Sequence, residues 1–73
     1  MKNYERRFIV EYLELCMRIM NLEDYIERRK LGQDEGKCGI DLLTVQLDTM
    51  NKYKMVLEMR ANLEGIDLQA PEW

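Results

Sequence analysis

Phe8, Tyr12, Leu15, Ile19, Leu22 and Ile26 are spaced 4-3-4-3-4, and Ile9, Leu13, Cys16 and Met20 follow one residue further round. Steps of three and four place each set along one face of an α-helix. A helix with one partner usually carries a single apolar stripe a little over ~100° wide; this helix carries two stripes side by side. A second stretch repeats the pattern, with Leu43, Leu47, Met50, Tyr53 and Leu57 on one face and Leu42, Val45, Val56, Met59 and Leu63 flanking it. The two segments predict an all-α fold: an antiparallel helical hairpin of two long helices. Their apolar faces are too wide to be covered by each other alone, so the hairpin is expected to assemble into a helical oligomer.

The punctuation between the stripes sets the boundaries. Helix one is expected from about residue 3 to 30, with Asn3 a suitable N-cap and Arg28, Arg29 and Lys30 at the negative end of its dipole. At 1.5 Å per residue it is about 40 Å long. Residues 31–39 (LGQDEGKCG) hold three glycines and read as a loop. Helix two is expected from about 40 to 64, with Gly65 at the position after its end. Residues 1–65 form the hairpin, and 66–73 form a C-terminal tail. Pro71, Ile66, Leu68 and Trp73 leave the tail readable as a docking segment, seated on a neighbouring hairpin, or as disordered.

Size strengthens the case for assembly. The chain has 73 residues, and a domain so small buries only about 60% of its unfolded surface. Disulfides, metal or oligomerisation normally supply the missing stability. Cys16 lies mid-helix and Cys38 in the loop, which makes a bridge between them improbable geometry. With no histidine in the chain, two unrelated cysteines make no zinc site. Oligomerisation remains, and six methionines suit adaptable helix packing. The chain shows no signal-peptide pattern and no 18-residue apolar run, so it reads as cytosolic, with no membrane span.

Charge and residue types narrow the function. The net charge of −3 argues against a DNA or RNA polymer as partner. Small clusters of arginine on an acidic chain suit a small anionic ligand better. Catalysis is not expected, since the chain lacks both histidine and serine and has no glycine-rich phosphate loop. Arg7 and Glu11, and Glu14 and Arg18, stand four apart, the spacing of exposed helical ion pairs. At the start of helix one, Tyr4-Glu5-Arg6-Arg7 combines an aromatic face, planar guanidinium forks and free backbone N–H groups, each suited to phosphates or stacked bases.

The string YERRFIVEYLELCMRIMNLEDYI, from Tyr4 to Ile26, resembles a family of small phage helical-hairpin proteins. Its pattern is an aromatic or His, an Arg three residues on, two apolar residues, Glu, Glu-Leu, a basic residue, then Leu and an aromatic-Ile pair. Leu43, Gln46-Leu47, Met50, Tyr53, Leu57 and Arg60 resemble the second half of that pattern. Glu5 and Arg6 replace a usual Gln pair, and Tyr12 stands where a polar residue is usual, departures that bear on ligand identity. The hairpin is shared with phage sponge proteins that sequester the cyclic nucleotide signals of the CBASS and Thoeris anti-phage systems. The resemblance implies a homo-oligomer, hexamer-like, holding a cyclic di- or trinucleotide or cyclic ADP-ribose-type molecule between protomers, without metal or cofactor. It would act in the cytoplasm of the infected bacterial host. On the matched positions, Tyr4 would stack on a base, Arg7 and Arg18 would take phosphates, and Arg60 is a further ligand candidate. The alternative is a small phage accessory protein whose apolar helical faces bind and inhibit a host or phage protein.

Overall fold

The computed structural model describes residues 3–33 and 36–68. Helix α1 spans Asn3–Lys30 and α2 spans Ile40–Glu64. They pack against each other as a hairpin 45 Å long, the length expected of a 28-residue helix at 1.5 Å per residue. Among the described residues there is no strand.

Glycine ends both helices. Gly32 has φ +76° and Gly65 φ +70°, the left-handed region that lets a chain turn off its helix axis without a Cβ clash. After α1, the Gly32 N–H donates to Arg29 O (3.2 Å) and the Gln33 N–H to Arg28 O (2.9 Å). After α2, the N–H groups of Gly65 and Ile66 both donate to Ala61 O, the latter at 2.8 Å. These bonds satisfy carbonyls that would otherwise be orphaned. The second turn also swings Ile66 back onto its own hairpin.

The core follows the 4-3 spacing with one-sided burial. Phe8, Leu15, Ile19 and Ile26 of the first stripe are buried, with Tyr12 and Leu22 half-buried. The second stripe changes along its length: Ile9 is 1% exposed, Leu13 and Cys16 are intermediate, and Met20 is 65% exposed. From α2 come Leu43, Leu57 and Ala61, while Leu47 and Met50 are half-buried. Ile66 joins the buried cluster of Phe8, Ile9, Leu15, Ile19, Leu57 and Ala61, and Leu68 packs against it. The tail's first apolar anchors, Ile66 and Leu68, therefore dock within their own hairpin; Pro71 and Trp73 lie outside the described residues. The flanking stripe of α2 stays uncovered, with Leu42, Val45, Val56, Met59 and Leu63 all exposed. Cys16 and Cys38 are free thiols, and no described helix is long and apolar enough to cross a membrane.

Candidate ligand-binding site

The start of α1 and the end of α2 meet at the open end of the hairpin. On one flank of this end lies a cleft of about 290 Å³, lined by Tyr4, Arg7, Phe8, Glu11 and Arg60. Tyr4, Arg7 and Glu11 project together because they are three and four residues apart on α1. Arg60 reaches them from the last turns of α2.

Two of these side chains, Tyr4 and Arg60, form a closed circuit with Glu64. Arg60 Nη2 donates to the Tyr4 hydroxyl at 2.8 Å. That hydroxyl donates in turn to Glu64 Oε1 at 2.8 Å, and Glu64 Oε2 lies 3.4 Å from Arg60 Nε. The Arg60 guanidinium also sits over the Phe8 ring, 4.9 Å from its centroid, and the Tyr4 and Phe8 rings are 6.3 Å apart at 50°. Burial works against the Arg60 charge, but Tyr4 and Glu64 outweigh it and hold its pKa above the ordinary value. The cation is permanent.

Arg7 differs in kind. Its side chain is exposed at the cleft, and among the described residues it makes no hydrogen bond or ion pair. The expected pairing with Glu11 does not form, because the Glu11 carboxylate turns across the hairpin and Oε2 accepts a hydrogen bond from the Tyr53 hydroxyl. That bond, then burial, raises the Tyr53 pKa, so the phenol remains a donor at neutral pH. The cleft thus offers an exposed guanidinium fork beside the exposed Tyr4 ring, an arrangement that suits a phosphate next to a stacked base.

Arg18 is elsewhere. It is exposed and pairs with Glu14 at 3.8 Å, the i,i+4 bridge its spacing suggests. Phe8, Glu11, Tyr53 and Glu64 enter the site without having been named as ligand-binding residues. The spacings of four from Tyr4 to Phe8, Arg7 to Glu11 and Arg60 to Glu64 carried a local signal for three of them, and Tyr53 had none.

Two other places compare poorly as anion sites. A cleft of about 380 Å³ on the opposite flank is lined by Tyr12, Glu58, Ala61, Asn62, Ile66, Asp67 and Leu68; its charged groups are carboxylates. There the Tyr12 hydroxyl donates to Glu58 Oε2 at 2.6 Å. Burial, that bond and Cys16 together push its pKa well above the usual 10.0. At the turn end, Arg28 and Arg29 flank the Tyr25 ring at 5.9 and 5.7 Å. Those cations are engaged, Arg28 with Asp24 and Arg29 with the Tyr25 hydroxyl.

The fold and the cleft together define a two-helix hairpin with a small cation-bearing cleft at its open end. The chain belongs to the Sequestin family, whose model matches residues 2–63. The family's name denotes sequestering, a binding role rather than a catalytic one. No curated protein matches the chain, and no solved structure does.

Proposed function

We propose that this Sequestin is a phage-encoded sponge. It binds cyclic oligonucleotide immune signals, or a cyclic ADP-ribose-type molecule, and withholds them without cleavage, countering CBASS- or Thoeris-type defence in the host cytoplasm. The observation that carries this reading is Arg7, an unpaired guanidinium in a cleft walled by Tyr4, Phe8 and Arg60. A phosphate pairs with Arg7, and a base stacks against Tyr4. Arg60 adds a second positive charge from α2.

The size of the cleft couples binding to assembly. Small-molecule sites usually enclose about 300–1,000 Å³, and this cleft, about 290 Å³, accommodates one nucleotide unit of a ring. A second copy covers the remainder. Arg18 stands about 16 Å along α1 from Arg7 at 1.5 Å per residue, so it serves a ligand held mainly by a neighbouring protomer. The exposed Met17, Met20, Val56 and Met59 supply the apolar surface for such contacts, in a hexamer-like oligomer. The same exposed surface favours a second reading, an accessory protein that inhibits a host or phage protein by docking on it.

The test is to mix the purified protein with cyclic di- and trinucleotides and cyclic ADP-ribose isomers, measure heats by calorimetry, then release the ligand by thermal denaturation. A sponge returns the ligand intact. Altered products would make the protein an enzyme, and the absence of any heat would leave only the docking reading.

A further inference from the structure

Most of the cleft's polar groups are already committed to one another. Arg60 is shared between Tyr4 and Glu64 and lies face-on to Phe8. Both Glu64 oxygens face a donor, Tyr4 at Oε1 and Arg60 at Oε2. What remains open is the Arg7 guanidinium and the Glu11 carboxylate, whose Oε2 is held by Tyr53 while Oε1 has no partner among the described residues. At i,i+4 their Cβ atoms stand about 5–6 Å apart, yet they do not pair. The cleft therefore presents an unspent donor fork and an unspent, oriented acceptor side by side, next to a stacking surface.

A ligand satisfying both must bring an anion and a set of hydrogen-bond donors. A phosphate answers Arg7. For a carboxylate, the best base edge is that of guanine, where N1–H and the N2 amino group donate in one plane to two oxygens, here Oε1 and the acceptor position that Tyr53 leaves open on Oε2. Adenine presents a lone pair at N1 on the same edge, facing the carboxylate's negative charge, with only its N6 amino group as donor. Cytosine and uracil offer one donor each. We propose that Glu11 is the base-selecting residue of the cleft and makes it prefer guanine-containing cyclic nucleotides, with Tyr53 as the positioning residue that fixes the Glu11 carboxylate. The proposal rests on the cyclic-nucleotide reading above.

Calorimetric titration with cyclic di-GMP and cyclic di-AMP tests it. Charge-assisted hydrogen bonds of ~1.5–3 kcal/mol separate the two bases, so wild-type protein binds cyclic di-GMP at least tenfold more tightly. Glu11→Gln replaces the pure acceptor by an amide with one donor and one acceptor, the complement of an adenine edge; it brings cyclic di-AMP to parity or better. Tyr53→Phe moves the ratio toward parity, with the helical circular dichroism of both variants unchanged. Equal wild-type affinity for the two rings, or a guanine preference that survives Glu11→Gln, overturns the assignment of Glu11 while leaving the sponge reading intact. Failure to bind either ring or any other cyclic nucleotide overturns both.

Discussion

Arg7 and Arg60 line the same cleft, but the structure gives them opposite expectations on substitution. Arg7 has no described partner, so Arg7→Ala removes nothing that holds the hairpin together. Surface changes of this type fall within about 0.5 kcal/mol, which for a domain of this size is no more than about 2–4 °C in Tm. Its cost falls on ligand affinity: a charge-assisted hydrogen bond of ~1.5–3 kcal/mol corresponds to roughly 10- to 150-fold in Kd. Arg60 spends its charge inside the protein, on Tyr4, Glu64 and the Phe8 ring. Arg60→Ala accordingly lowers Tm further than Arg7→Ala, and weakens ligand binding in addition. Thermal melts followed by circular dichroism give the first quantity, and calorimetry with the tightest-binding cyclic nucleotide gives the second. Both are run at low and moderate salt, because an Arg–phosphate contact weakens as salt is added. The reasoning fails if Arg7→Ala melts as low as Arg60→Ala, or if it binds ligand as tightly as wild type.

Three further outcomes follow from the packing. Met20→Glu places a charge on a side chain that is 65% exposed in the hairpin; the mass by light scattering falls and helicity falls with it, because a hairpin this small is marginal alone, whereas a wild-type chain that is a stable, well-folded monomer at micromolar concentration removes the assembly argument. Ile66→Ala deletes a buried side chain of the core cluster and costs about 2 kcal/mol or more, so Tm drops by roughly 8 °C or more; an unchanged melt means that this segment does not hold to α1 and α2. The Tyr12 pKa is raised in the folded state above its ordinary 10.0, so the stability it contributes is complete below pH 10 and is lost as pH climbs beyond that toward its folded value. Denaturant midpoints of wild type therefore fall more steeply above pH 10 than those of Tyr12→Phe, and parallel pH profiles would contradict this.

The helices were legible because their information is local. A 4-3 apolar rhythm and a glycine where each helix must stop define α1 and α2 with no knowledge of the partner. The candidate site was legible only by half. Tyr4 and Arg7 belong to one helical turn, and Arg60 meets them because the hairpin brings its ends together. The Tyr4–Glu64 bond joins residues 60 apart, a juxtaposition no spacing rule contains. Tyr53 sat in the apolar rhythm of α2, but its ring is amphipathic and 43% exposed, and its hydroxyl seeks Glu11 across the groove. That competing donor is also why the i,i+4 Arg7–Glu11 pair, worth only a few tenths of a kcal/mol on an open surface, gives way. The sequence left the tail open between docking and disorder, and Ile66 packs into its own hairpin because a left-handed Gly65 reverses the chain within one residue.

The Tyr4–Arg60–Glu64 circuit joins the first turn of one helix to the last turn of the other, at the end where nothing covalent connects them. Helix termini are the first parts of a hairpin to come apart, so the cleft is built from the least secure segment of the fold. A guest seated between Arg7 and Arg60 would work as a clasp on a two-bladed hinge, closing the free end as the covalent connection between α1 and α2 closes the other. Amide exchange then shows a graded pattern: slow in mid-hairpin, fast near residues 4 and 64 in the empty protein. Occupancy slows the fast end selectively, by the mass-action factor set by ligand concentration over Kd.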